Sequence, residues 1–158
     1  MAYATQAELV TAYSASLLER LCIRADDPVP LDPAVQTARI IAALDEASGL
    51  MDGYFQSGYN VPVQTAIPSG ITSLRNCACV LAISALVRQK GYTRGSEDES
   101  LVISADTWRG WLRDVSKGVV QIPGASAFDS SSVGSAPRQP FLVCSKRPFV
   151  PYVDQRFR

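Results

Sequence analysis

The chain reads as a mainly α protein: a small bundle of four to five helices followed by a long, irregular and extended C-terminal arm. Apolar residues recur at spacings of three and four through the first 124 residues. Capping signals open these periodic segments and glycines close them. Residues 125–158, by contrast, show neither a helical nor a strand period.

The first helix is expected to start at Thr5. In "TQAE" the Thr5 hydroxyl can accept from the Glu8 amide while the Glu8 carboxylate reaches back, which is a capping box. Ser14 suits the cap of a second short helix through Leu17, Leu18 and Leu21. After the loop "RADDPVPLDP", Asp32 suits an N-cap and Pro33 a first helical turn. The helix they open should run to about Phe55, with Ile40, Leu44, Ala47, Met51 and Tyr54 on one stripe. Arg39, Glu46 and Ser57 mark its opposite face. "GYNVPVQTAIPSG" breaks the pattern. The next helix is expected from about Ser69 to Lys90, closed by Gly91. It carries two apolar stripes, one of Ile71, Leu74, Ala78, Leu81 and Ala85, the other of Val80, Ile83 and Val87. Ser96 is the expected cap of a last helix through Leu101, Ala105, Trp108, Leu112 and Val115, ending at Gly118.

Two apolar faces mark either a helix at the centre of one domain or one that also meets another subunit. On the second alternative the contact residues are Val80, Ile83 and Val87, joined by Trp111, since Trp is enriched at interfaces as well as in cores.

Composition limits the chemistry. There is no histidine, so Ser-His-Asp and Cys-His sites and histidine-ligated metals are excluded. The cysteines are Cys22, Cys77, Cys79 and Cys144. Cys77 and Cys79, two apart on a helix, point about 200° away from each other and cannot share a metal. The thiols therefore read as buried and free. Asp45 and Asp52 share a helix face, but no phosphate loop or metal spacing accompanies them; the expectation is a non-enzyme without cofactor, those carboxylates facing solvent or Arg. No run of about 18 apolar residues appears, so no membrane partner is expected. "MAYATQAEL" lacks the basic and apolar regions of a signal peptide, which points to the cytosol as the place of synthesis.

Charge divides the chain unevenly. Residues 1–124 hold 10 Lys/Arg and 13 Asp/Glu, a net −3, while residues 125–158 hold 5 and 2, a net +3. The stretch 125–137 has the Ser/Gly-rich composition of a linker between the body, 1–124, and an arm, 138–158. The arm places Phe141, Phe149, Tyr152 and Phe157 among Arg138, Lys146, Arg147, Arg156 and Arg158. The prolines of this end, Pro137, Pro140, Pro148 and Pro151, keep it out of helices and central strands and lower the cost of ordering it. Arg and aromatic side chains are the usual interface anchors. The arm is therefore expected to dock, on another chain rather than back on its own body.

Several stretches taken together carry a resemblance. They are "YATQAELV", "LDEASGLMDGYFQSGYNVPV" with Ala47, Asp52, Gly53, Tyr54, Tyr59 and Pro62, Pro68 and Leu74 leading into "CACVLAISAL", "WLRDVSKG" and the finishing "SKRPF". Their order resembles the Mu-like family of small tailed-phage and prophage proteins related to head–tail adaptors, also called head-completion or connector proteins. The likeness spans residues 3–124 and, more loosely, 145–149. It implies a helical, non-enzymatic virion protein of the neck, which forms a ring, usually a dodecamer. That ring sits below the portal protein, extends the DNA channel, lets genomic DNA pass without sequence-specific binding, and offers a surface to the next neck or tail protein. On this view Arg147, Phe149, Tyr152 and Phe157, supported by Arg156, anchor the arm to the portal or to a neighbouring copy. The competing expectations are another neck protein, such as a stopper or tail terminator, and a small helical DNA-binding or packaging regulator.

Overall fold

A computed structural model describes residues 2–25, 27–91 and 95–126. They form five helices: α1 (Gln6–Ala12), α2 (Ala15–Cys22), α3 (Pro33–Phe55), α4 (Pro68–Lys90) and α5 (Glu99–Ser116). No strand occurs among the described residues; one antiparallel bridge pairs Thr65 with Ala125. The arm and most of the linker lie outside the described residues.

Local chemistry explains most helix starts. Thr5 caps α1 in a full capping box: the Glu8 amide donates to Thr5 Oγ1 at 3.3 Å, and the Thr5 amide donates to Glu8 Oε2 at 2.8 Å. The Glu8 Oε1 atom also takes the Arg75 Nε at 2.7 Å, so one carboxylate both caps α1 and ties it to α4. Ser14 caps α2 through the Leu17 amide, and Asp32 caps α3 through the Ala34 amide with Pro33 in the first turn. Helix α4 begins at Pro68, one residue before the expected Ser69, because proline suits a first turn that needs no amide donor. Gly91 ends α4 with φ of +101°, the left-handed conformation that glycine adopts without cost.

The expected cap of α5 is corrected. Its N-cap is Asp98, not Ser96, and Asp98 makes no side-chain cap bond. Both acids ahead of the helix are drawn instead to α2: Arg20 holds Glu97 at 3.0 Å and Asp98 at 2.7 Å. A charge-assisted bond to a guanidinium outcompetes the neutral amide as a partner for the carboxylate.

Helix α4 lies at the centre and packs against each of the other four helices. Eighteen of its residues can pass for a membrane span on mean hydropathy (1.6), but 67% of that window is buried by the rest of the body. The α3 stripe is as the spacing predicts at Ile40, Leu44, Ala47 and Met51, all buried, and is widened by Ala43, Ser48 and Phe55. Phe55 is fully buried and meets Tyr3, Tyr59 and Trp111 edge-on, with ring centroids 6.0, 6.3 and 6.4 Å away.

Arg39 is not on the solvated face the spacing assigned it. Its guanidinium grips both oxygens of Asp27 and donates to the Cys22 carbonyl at 2.5 Å, fastening the end of α2 to α3. Arg39, with the Arg24 amide at 2.7 Å, holds the Asp27 carboxyl at about 2, below its ordinary 3.8. A carboxyl depressed on folding adds stability that is complete above its unfolded value and is lost as pH falls through the folded one. Thermal unfolding midpoints should therefore begin to fall below pH 4 and lose this contribution by about pH 2. In Arg39→Ala the same scan, followed by circular dichroism, should show a shallower acid limb.

After α5 the chain folds back along the α3–α4 connection. The Ile122 amide donates to Tyr59 Oη at 3.1 Å, and Thr65 Oγ1 donates to the Pro123 carbonyl at 2.6 Å. Gly70 makes this possible: a Cβ there would lie 2.3 Å from the Pro123 oxygen and 2.7 Å from Thr65 Oγ1. Since the first obstacle is backbone, Gly70→Ala should cost about 1–3 kcal/mol in urea unfolding, within the range for overpacking.

Candidate functional site

The four subunit-contact candidates in the body do not share one outward face. Ile83 and Val87 are 0% and 1% exposed. Central packing of α4 absorbs the second apolar stripe, so these two residues are corrected from interface candidates to core. Val80 and Trp111 are partly buried against that core, and Trp111 stacks edge-on with Trp108 at 5.4 Å. The arm anchors Arg147, Phe149, Tyr152, Arg156 and Phe157 lie outside the described residues.

Tyr3 is a residue that spacing alone misses. Its hydroxyl donates to Asp52 Oδ1 and accepts from the Val63 amide at 2.8 Å, while its own amide donates to Ser48 Oγ at 3.2 Å. Burial, then the hydrogen bond to the Asp52 carboxylate, pushes the phenol well above its ordinary value. Tyr3 thus clamps the N-terminal segment, α3 and the loop after it. Asp52 is turned to this tyrosine rather than to solvent or to an arginine. Beside the clamp lies an open groove of about 390 Å³, lined by Ala2, Tyr3, Pro62 to Thr65, Ile71 and Leu74.

The outward surfaces are otherwise helical. On α3, Ile41 is 47% exposed, and exposed Asp45 follows it four residues on, on the same side. No Lys or Arg occurs between Arg39 and Arg75. On α5, Ile103 is 59% exposed, and Gly110 and Lys117 follow at spacings of seven. Arg113 and Lys117, both exposed, make no ion pair among the described residues, whereas Arg109 holds Asp106 at 2.7 Å.

The described thiols, Cys22, Cys77 and Cys79, are buried and free. Burial pushes Cys77 up to about 12 and Cys79 to about 11, so both stay protonated at neutral pH. Among the described residues, no three of His, Cys, Asp and Glu converge as metal ligands would.

The described residues thus form a helical body built around α4. In sequence comparison, the family described as "Bacteriophage Mu, Gp36" matches residues 3–138. The molecule is of the phage structural and morphogenesis class, associated with the virion. The chain belongs to the bacteriophage Mu Gp36 family. No curated protein matches it.

Proposed function

We propose that this protein is a head–tail adaptor, a ring-forming neck component that sits between the portal and the next neck or tail protein. The observation that carries the proposal is membership of the bacteriophage Mu Gp36 family across residues 3–138, on a helical body. The ring's own contacts would be heterologous, closed by rotation. A mildly acidic body suits a wall past which DNA slides, since a basic lining would hold phosphates through counterion release. The basic and aromatic arm supplies anchors toward the portal or a neighbouring copy.

Stoppers and tail terminators are mostly β-rich as classes, and the absence of strands among the described residues argues against them. A helical DNA-binding regulator is distinguished by salt. Co-sedimentation of the full chain with purified portal, and separately with duplex DNA, should give portal binding that survives 200 mM salt and no DNA binding. DNA binding at low salt that collapses by 200 mM, without portal binding, favours the regulator and overturns the adaptor.

A further inference from the structure

We propose that the groove beside the Tyr3 clamp takes the stretch "PFLVC", residues 140–144, from the arm of a second copy, with Phe141 as the seated ring. This deepens the adaptor reading, on which its ring geometry rests, and specifies a contact between copies.

The groove selects by chemistry. It measures about 390 Å³, within the size range of clefts that take small apolar groups. Val63, Ile71, Leu74 and the Tyr3 ring contribute to its walls, and none of the residues lining it is a Lys, Arg, Asp or Glu. Ile71 remains 41% exposed there. The carboxylates nearest by sequence and contact are already engaged: Asp52 takes the Tyr3 hydroxyl, and Glu8 takes Arg75 at 2.7 Å. A Lys or Arg seated in such a cleft would lose water without gaining a partner.

The arm offers two uncharged stretches, 139–145 and 148–153. The second is bracketed directly by Arg147 and Asp154, with Lys146 and Arg156 close behind. The first sets Phe141, Leu142 and Val143 in a row, and its nearest charges, Arg138 and Lys146, stand two residues clear of Pro140 and Cys144. It alone enters an uncharged cleft without carrying a cation to the rim. The later, basic stretch is left for the portal.

The exit point of the described chain says which copy supplies the segment. Ala125 bridges to Thr65 on the groove's edge, and Gly124 stands against Ile67, one turn before Ile71. Each copy therefore launches its arm from the rim of its own groove. From Ser126 to Phe141 the chain spans up to about 50 Å at 3.3–3.6 Å per residue. A body ending at residue 126 has a radius of gyration of about 14 Å, hence a width of about 36 Å as a sphere. Equivalent rims on adjacent ring copies stand about one such width apart. The stretch thus reaches the next groove with length to spare, whereas its own groove needs almost none of that length. Launching rim to receiving groove is a heterologous contact, which closes by rotation.

The test is disulfide trapping in the full chain carrying Gln64→Cys, which puts a thiol on the groove lining. Cys144 is its native partner, since Cys22, Cys77 and Cys79 are buried. A disulfide needs Cα atoms within about 4.4–6.8 Å, so the bond reports the contact itself. Isotope-labelled and unlabelled chains are mixed equally and oxidised mildly, with and without portal. Covalent oligomers beyond dimers should appear on a non-reducing gel, with residue 64 of one copy joined to Cys144 of another by mass spectrometry. Adding Phe141→Asp, or Ile71→Arg at the partly exposed wall, should cut these oligomers at least fivefold with melting curves unchanged. Links only within one chain, no 64–144 link in either sample, or oligomers indifferent to both changes would overturn the contact. If the wild-type chain still assembles on portals, any of those results leaves the adaptor reading intact. Oligomers linked as expected from a chain that binds no portal overturn the adaptor reading and support the contact.

Discussion

Phe55→Ala should remove about 3–5 kcal/mol of folding stability, the range for deleting a fully buried aromatic ring. Phe55 is 0% exposed and lies at a junction. Its edge contacts reach Tyr3 in the N-terminal segment, Tyr59 in the α3–α4 connection and Trp111 on α5. Three rings in rigid surroundings cannot collapse into the space it leaves, so the cavity cost adds to the lost transfer energy. Domains of this size hold only about 5–15 kcal/mol in total. The variant should therefore unfold at much lower urea, with an unchanged slope, when helicity is followed by circular dichroism. Phe55→Leu, which fills most of the space, should lose clearly less. A loss under 1 kcal/mol in Phe55→Ala would mean that this aromatic junction does not hold the body together.

Ending the chain after Gly134 should abolish assembly on portals while leaving the helical body folded. Within the described body, buried side chains from Ala4 to Ile122 form one apolar cluster, and the bridge from Ala125 to Thr65 closes it. The melting temperature of the truncated chain should thus stay near that of the full chain. The arm, however, holds Arg147, Phe149, Tyr152, Arg156 and Phe157, the Arg and aromatic types that dominate interface energetics. Losing several anchors at once removes far more than the 1.4 kcal/mol that changes affinity tenfold. Portal pull-down of both chains at equal concentration reads the difference. Full assembly by the truncated chain would leave the arm without the anchoring role proposed for it.

What the sequence discloses here is largely local chemistry. Thr5 with Glu8, Ser14, and Asp32 with Pro33 act within three residues of one another, so their caps are visible in order along the chain. The start of α5 was not visible, because the residue that claims Glu97 and Asp98 is Arg20, 77 and 78 positions away. Tyr3 escaped for the same reason: its hydroxyl partners Asp52 and Val63 stand 49 and 60 positions from it. The two apolar stripes of α4 were legible, but periodicity could not say whether its own chain or a neighbour covers the second one. Packing by the other four helices answers that for Ile83 and Val87.

Electron microscopy of the full chain mixed with purified portal tests the central claim most directly. The account predicts a ring of this chain, coaxial with the portal and continuing its channel. Portals that remain bare at saturating protein, or copies bound singly without touching one another, would contradict it.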